Sequence, residues 1–327
     1  MTTLPLHDLI REASLAPSVH NVQPVRWKIE EHGLQMFLDM RCRLPHGDPE
    51  NHDALMSAGA ALEGINLAAS KYGKSVKFHP ASTLIEVPGL HYLGLIEFED
   101  GDAEDPLSSF VESRFSWRGK FQTSTRKMRD SAARLAGADC HVFNDPADLG
   151  ELAELSDQAS LNFMSRRGFR GELVSWMRLS RRHPRWSLDG LNADAMQMNR
   201  LEAFAASILL RRPFDWLQTL GLARALVSDA NRFENTVGLM VLHRSVGENP
   251  ISSGRRFYRH WLEVEKAGFV ANVFAALADD LNSRKTLHRK MELPDDREIY
   301  SALLFGHLPQ GVARPARARL SLDQFVL

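Results

Sequence analysis

The sequence predicts an α+β fold assembled from two similar halves. Three observations carry that expectation. Strand-like stretches lie in the first third of the chain and again toward its end, on either side of a long, mostly helical stretch. A long helix rich in small residues, Asp53–Tyr72, follows the first pair. A faint internal echo links that helix and the strand after it to a second helix and strand near the C-terminus.

The elements follow in order. Residues 7–16 read as a short helix stopped by Pro17. Val25–Glu30 and Leu34–Met40 alternate as strands around a Glu31-His32-Gly33 turn. Asp53–Tyr72 carries Ser57-Ala58-Gly59-Ala60-Ala61 and ends at Gly73, so it should lie close against a neighbour. Strands are expected at Ser75–His79 and Leu90–Glu99, and Gly101–Asp105 reads as a linker. A long, mostly helical stretch covers about 107–235. Val237–Arg244 then reads as a strand, Arg255–Asp279 as a helix and Ile299–His307 as a strand. The echo pairs Leu55–Tyr72 and His91–Phe98 with Trp261–Asp279 and Ile299–His307, matching Ala58-Gly59-Ala60 to Ala267-Gly268-Phe269.

Bulk properties exclude several classes. The 327 residues are 44% apolar and 25% charged, with net charge −1, so no global field favours nucleic acid or an anionic membrane. No apolar run reaches the roughly 18 residues of a membrane span. The opening Met1-Thr2-Thr3-Leu4-Pro5-Leu6 lacks a basic and an apolar leader region, so no signal peptide is expected. Cys42 and Cys140 have no metal-ligand spacing and read as free thiols in a reducing cytoplasm. The histidines His20, His183, His243, His260, His288 and His307 show no zinc spacing, and no metal is expected. There is no P-loop and no Gly-x-Gly-x-x-Gly after a strand, which argues against a Rossmann-type dinucleotide fold.

Four segments could carry chemistry, and each has a plainer reading. Pro17-Ser18-Val19-His20-Asn21-Val22-Gln23-Pro24 is a polar helix-to-strand turn whose Ser18 and Asn21 suit backbone capping or a polyol. In Arg114–Phe121, an extended chain places Arg114, Ser116 and Arg118 on one face, as a ligand site or as a charged edge strand. Arg166–Arg185 is dense in arginine and holds Trp176; with nearby Trp186 it reads as a solvated or lid-like helical hairpin or as a nucleic-acid surface. In the tail, Pro315-Ala316-Arg317-Ala318-Arg319-Leu320-Ser321-Leu322-Asp323, Arg317 and Arg319 share a face if the segment is extended. They form either a solvated end or a bidentate grip for a dianionic phosphate.

Taken together, these strings resemble the flavin site of the nitroreductase superfamily. Ala16-Pro17-Ser18-Val19-His20-Asn21-Val22-Gln23-Pro24 is similar to the family's Ala-Pro-Ser-x-x-Asn-x-Gln-Pro-Trp, and closer still to the Pro-Ser-Val-His-Asn of the Acg-like branch. Further matches to that branch are Asp39-x-Arg41-x-Arg43-Leu44-Pro45, Asp48-Pro49, Ser57–Leu62, Glu172-Leu173-x-x-Trp176 and Asp189-Gly190. The tail resembles the superfamily's terminal phosphate clamp. Val25 departs from the usual Trp, Phe115 and Trp117 replace polar residues, and Asn282-Ser283-Arg284-Lys285 stands where many members have a Gly-containing loop.

The resemblance implies a nitroreductase-like fold whose two pseudo-symmetric halves mimic the family's homodimer within one chain. The halves would be 1–105 and 106–327, with a lid insertion at about 160–195. It implies one FMN per chain. Arg114, Arg317 and Arg319 would hold the phosphate, and Ser116 and Arg118 would face the ribityl and pyrimidine ends. Pro17, Ser18 and Asn21 would line the cofactor from the other half. No catalytic side chain is implied, because the flavin N5 carries the electrons. The expected activity is an FMN-dependent, NAD(P)H-linked oxidoreductase acting on a small conjugated or aromatic compound; the alternative is a non-catalytic FMN-sequestering protein with a lidded site. A cytoplasmic monomer with a small-molecule substrate, and neither nucleic acid nor membrane as a partner, is expected.

Overall fold

A computed structural model describes residues 4–83, 85–211, 213–228 and 230–327. Met1–Thr3, on which the leader expectation partly rests, lie outside the described residues. The first half holds helix α1 (Leu6–Ala13), the hairpin β1 (Val25–Glu30) and β2 (Gly33–Asp39), helix α2 (His52–Ser70), then β3 (Lys74–Pro80) and β4 (Leu90–Asp100). Its four strands pair antiparallel in the order β1-β2-β4-β3. One face of this sheet buries Trp27, Leu34, Met36 and Ile96 against α1 and α2.

The second half begins with α3 (Arg126–Ala132) and β5 (Cys140–Phe143), and then becomes helical. Helices α4 (Pro146–Ser165) and α5 (Arg167–Trp176) lead into a two-stranded parallel ribbon, β6 (Met177–Arg178) with β7 (Leu191–Asn192). Helices α6 (Arg200–Leu209), α7 (Pro213–Thr219), α8 (Ala223–Val227) and α9 (Ala230–Phe233) follow. The chain then runs through β8 (Gly238–Ser245), α10 (Pro250–Lys266), β9 (Val270–Val273), α11 (Ala275–Asp279), α12 (Leu281–Lys290) and β10 (Arg297–Gly306). The second sheet is again antiparallel, in the order β5-β8-β10-β9. Strand for strand this is the order of the first sheet, with α10 standing where α2 stands, between the second and third strands.

The α+β expectation therefore holds, but the register of the internal echo shifts. The helix expected over Arg255–Asp279 is three elements: α10, the short strand β9 and α11. Gly268 has φ +83° and lies just beyond the end of α10, where a left-handed residue ends a helix. The counterpart of Gly59 is Gly254. The stretch 107–235 is also not purely helical, since β5 and the β6–β7 ribbon interrupt it. A four-residue strand such as Cys140–Phe143 is too short for alternation to reveal.

Helices α2 and α10 cross where their backbones meet. A Cβ placed on Gly59 would lie 2.0 Å from the Ile251 carbonyl oxygen, and one on Gly254 would lie 2.0 Å from the Met56 carbonyl oxygen. Only glycine at both positions permits that approach. Beside the crossing, Glu63 of α2 is 2% exposed. It accepts hydrogen bonds from Arg255 Nε (2.7 Å) and Arg259 Nη1 (2.8 Å) of α10. A buried carboxylate requires such partners. Tyr258 and Leu262 of α10 enter the first half's core directly.

The C-terminal tail crosses back to the first half. Leu320 and Phe325 belong to the first core, the short helix α13 (Leu322–Phe325) packs on α1 and β1, and Leu327 N donates to Trp27 O at 2.8 Å. Residues Ser116 and Trp117 lie against β9 of the second sheet, with Trp117 N donating to Ala271 O at 2.8 Å.

Two substitutions separate backbone approach from helix propensity. Gly254→Ala should destabilise the chain by about 3 kcal/mol or more, because its neighbour is backbone and cannot rotate away. Gly150→Ala, in α4 with nothing within 4 Å of the new Cβ, should instead stabilise by about 0.5–1 kcal/mol. Chemical denaturation of both variants checks this, and equal effects would contradict the crossing.

Candidate functional site

A cavity of about 330 Å³ opens between the two halves. All eight residues singled out in the sequence line it: Pro17, Ser18, Asn21, Arg114, Ser116, Arg118, Arg317 and Arg319. They come from three segments that are distant in sequence.

The first is the turn after α1. Three non-glycine residues here have positive φ, namely His20 (46°), Asn21 (57°) and Gln23 (51°), which is costly unless the surroundings enforce it. Hydrogen bonds supply the enforcement. Gln23 N donates to Ser18 Oγ (3.0 Å), and Gln23 Nε2 donates to Leu188 O (2.8 Å). Gln23 Oε1 accepts from Leu320 N (3.0 Å). Asn21 Nδ2 donates to Gly190 O (3.3 Å) and Ala318 O (3.1 Å), and its Oδ1 accepts from Arg319 Nη1 (2.6 Å). Both amide donors of Asn21 are thus used inside the protein. Asn21 ties the tail and residues 187–190 to the turn, and its amide nitrogen has nothing left for a polyol.

The second segment is Arg114–Arg118. Arg114 is 2% exposed. Its guanidinium lies over the Trp261 ring at 4.7 Å and the Tyr258 ring at 5.6 Å, and Nη2 donates to Leu15 O at 2.6 Å. Among the described residues, Arg114 Nε and the Tyr258 hydroxyl have no hydrogen-bond partner. Ser116 and half-buried Arg118 reach the same cavity, whereas Trp117 faces the second half's core. Lys120, expected on the same face, is exposed and outside the cavity.

The third segment is the tail. Arg317 Nη2 donates to Glu112 O (2.5 Å) and to Arg114 O. Arg319 donates from Nε to Ser14 O (2.8 Å) and from Nη2 to Leu15 O (3.3 Å). Three guanidiniums therefore meet with only carbonyl and amide oxygens as acceptors. Among the described residues none of the three pairs with a carboxylate, and nearby Glu265 is engaged by Arg314 at 3.0 Å. Burial, followed by the charges of its neighbours, pushes Arg319 down to about 9 and Arg317 down to about 10. Burial likewise lowers Arg114. The cluster is an uncompensated cationic pocket, and the donor set suits a dianionic phosphate. Arg114 Nε is a buried donor that such an anion could satisfy.

Other cavity residues carried no sequence signal of comparable strength. Asp53, Asn272, Asp279, Ser301 and His20 line it, together with the apolar walls of Met56, Leu173 and Leu191. His20 belongs to the Pro17–Pro24 turn, yet its lack of zinc spacing gives it no signal of its own. Of the segment at about 160–195, Leu173, Gly190, Leu191 and Ala195 line the cavity. Trp176 and Trp186 do not line it. The arginines of Arg166–Arg185 are largely neutralised within the fold. Arg170 and Arg167 pair with Asp215 (2.5 and 2.9 Å), Arg178 and Arg185 with Asp189 (2.9 and 2.5 Å), and Arg181 with Asp194 (2.8 Å). That pairing lowers the net positive charge the segment presents. Asn282–Lys285 forms the start of α12 and lies outside the cavity.

Away from this site, Asp139, Cys140 and His260 bring one ligand atom each within 4.8 Å of one another. Arg256 Nε lies 3.1 Å from Asp139 Oδ2 and already supplies a cation there. Cys42 and Cys140 are both free thiols.

Comparisons with known proteins find partial likenesses. No family model matches the chain. It is 36% identical over 152 residues to "Putative NAD(P)H nitroreductase acg" of Mycobacterium tuberculosis, a stretch covering 45% of this chain and 38% of that protein. A second M. tuberculosis protein with a name of the same form, Rv3131, is 34% identical over 62 residues, or 19% of this chain and 18% of that one. The chain thus spans well under half the length of the curated relatives it matches. Among solved structures, the FMN-dependent nitroreductase NfnB of Mycobacterium smegmatis in complex with NADPH overlaps 67% of this chain and 96% of its own, at 16% identity and a TM-score of 0.37. An iodotyrosine deiodinase bound to FMN and 3-iodo-L-tyrosine overlaps 66% and 96%, at 10% identity and a TM-score of 0.36. The sequence likeness is thus to proteins named as NAD(P)H nitroreductases, over less than half of this chain.

The turn generates a pH prediction. Enclosure, and secondarily Arg118, lowers His20 to about 4 from 6.5, with Asp53 opposing. A histidine depressed in the folded state contributes stability that is complete above 6.5 and lost as pH falls toward 4, because the unfolded chain binds the extra proton. His20→Asn keeps a residue tolerant of positive φ. Relative to wild type it should gain about 1–2 kcal/mol between pH 7 and about pH 4.5, less than the full shift because the ring opens on a water-accessible cavity. Denaturation at the two pH values measures the gain, and parallel curves would contradict the assignment.

Proposed function

We propose that the chain is an FMN-dependent oxidoreductase of nitroreductase type, with one flavin site formed between residues 1–105 and 106–327. The observation that carries the reading is the convergence of Arg114, Arg317 and Arg319 on one cavity without a carboxylate partner among the described residues. A flavin mononucleotide offers the dianion this cluster suits. The relatives named above are called NAD(P)H nitroreductases, and that name supports a nicotinamide donor.

In this reading Arg317 and Arg319 hold the phosphate with parallel donors, and Arg114 supports them from beneath. Bound FMN supplies hydride and electron transfer at its N5, so no acid–base pair is required of the protein. Arg118 stands over the cavity as a fixed cation; placed at the pyrimidine end, it favours negative charge developing on the ring. Pro17 and Ser18 shape the wall from the first half, and Asn21 keeps Arg319 aimed. The segment at about 160–195 acts as a lid that excludes water. The substrate is a small conjugated or aromatic compound, reached from the same opening as the donor, and the chain acts as a cytoplasmic monomer.

One feature favours the second reading, a protein that sequesters FMN without turnover. Residues 187–190 are bonded across the site through Ser187 O to Arg319 N (3.0 Å), Leu188 O to Gln23 Nε2 (2.8 Å) and Gly190 N to Asn21 O (3.2 Å). A lid so fastened slows exchange of donor and acceptor.

Replacing both Arg317 and Arg319 with Ala should weaken FMN binding by about two decades or more, at 1.5–3 kcal/mol for each charged hydrogen bond. Flavin fluorescence titration measures this, with circular dichroism to confirm folding. Unchanged affinity in a folded double variant would remove the tail from the site. Reduction of the bound flavin by NADH or NADPH would favour the enzyme over the sequestering protein.

A further inference from the structure

Large apolar side chains stand outward in one stretch of the chain. Of the twelve that are exposed among the described residues, seven lie within 201–226. On α6, Leu201 (76% exposed), Phe204 (65%) and Ile208 follow the spacing of one helical face. The order usual for a surface helix is reversed there, because small Ala203 is the buried residue and the larger ones face out. On α7, Phe214 is buried in a small core with Met164 and Ala223, while Trp216 is 78% exposed. Leu222 and Leu226, at α8, are exposed as well. Helices α6, α7 and α8 pack on one another in that order.

The free charge around these helices is positive. Arg200 opens α6 and Arg211 follows its end, so the two flank the apolar stripe. Both are exposed, and neither forms an ion pair among the described residues. Arg211 Nε donates only to Ser207 O, at 3.0 Å. The acids nearby in sequence are engaged. Glu202 accepts from Asn199 N at 2.8 Å, and Asp215 pairs with Arg167 and Arg170 at 2.9 and 2.5 Å. Arg224 is also exposed, but it shares a surface hollow with Glu151 and Glu154 and adds less.

We propose that α6–α8 form a docking face for an anionic lipid bilayer. Leucine, phenylalanine and tryptophan side chains enter the boundary between headgroups and acyl chains, and arginines at the edge of the face meet the anionic headgroups. No helix among the described residues is long and apolar enough to cross a membrane, so the contact is peripheral. The net charge of −1 averages over the whole chain and hides this local pattern, which is why bulk composition gives no sign of it. A second copy of the chain would bring the same unpaired arginines to the contact, and like charges oppose it. A protein partner needs a matching relief, whereas a bilayer takes a projecting side chain such as Trp216 without one.

Co-sedimentation of the full chain with vesicles tests the proposal. Vesicles of phosphatidylcholine with phosphatidylserine should bind it about tenfold or more tighter than phosphatidylcholine alone, with Arg200 and Arg211 each contributing severalfold. Added salt should weaken that binding. In Arg200→Gln/Arg211→Gln the two kinds of vesicle should differ by no more than about threefold. In Leu201→Ser/Phe204→Ser/Trp216→Ser, binding to the phosphatidylserine vesicles should fall about tenfold or more. All five side chains are exposed, so both variants should keep the circular dichroism and melting of the wild type. Equal binding to both lipids, binding to neither, or binding unchanged in the apolar variant would overturn the proposal. A concentration-dependent dimer of the wild type that the apolar variant loses would overturn it too, because a second copy would then cover the face.

Discussion

The close crossing of α2 and α10 at Gly59 and Gly254 is the constraint on which the rest of the structure depends. Each glycine lies against the other helix's backbone, so neither can carry a side chain. The approach lets two antiparallel sheets of identical strand order share one helical layer. It brings Tyr258, Leu262 and the Arg255/Arg259 pair of one half into contact with Glu63 and the core of the other. The cavity takes wall residues from both helices, Met56 and Ser57 from α2 and Phe257 and Trp261 from α10. Widening the crossing would separate those walls.

The site is electrostatically expensive before any ligand is considered. Three arginines are held together by carbonyl and amide oxygens and two aromatic faces, at the cost of lowered proton affinity in each. Such a cluster is stable because the surrounding fold over-determines it. The turn with three left-handed residues, the tail and residues 187–190 are cross-linked through Asn21 and Gln23. Local strain and charge repulsion are thereby offset by a hydrogen-bond network that spans the chain from end to end.

The legible part of the sequence was the part that required special chemistry. The eight residues from Pro17 to Arg319 line one cavity because arginine pairs and a Pro-Ser-x-x-Asn turn are rare enough to stand out. Asp53 and Asp279 did not stand out, since a lone aspartate at a helix end reads as capping. The echo is visible through small residues, yet they point to Gly268 and the crossing lies at Gly254. Both sit in or near apolar helix, and only the backbone contact tells a crossing glycine from a terminating one. Strand β5 is hidden by its length, and the arginine-rich section reads as unpaired charge because its partners Asp189, Asp194 and Asp215 lie beyond it in sequence.

The central claim is that one chain completes one site. Multi-angle light scattering combined with flavin absorbance tests it most directly. The account predicts a single species near 36.8 kDa that carries one FMN per chain. Two flavins per chain, or flavin found only in a species of twice that mass, would contradict it.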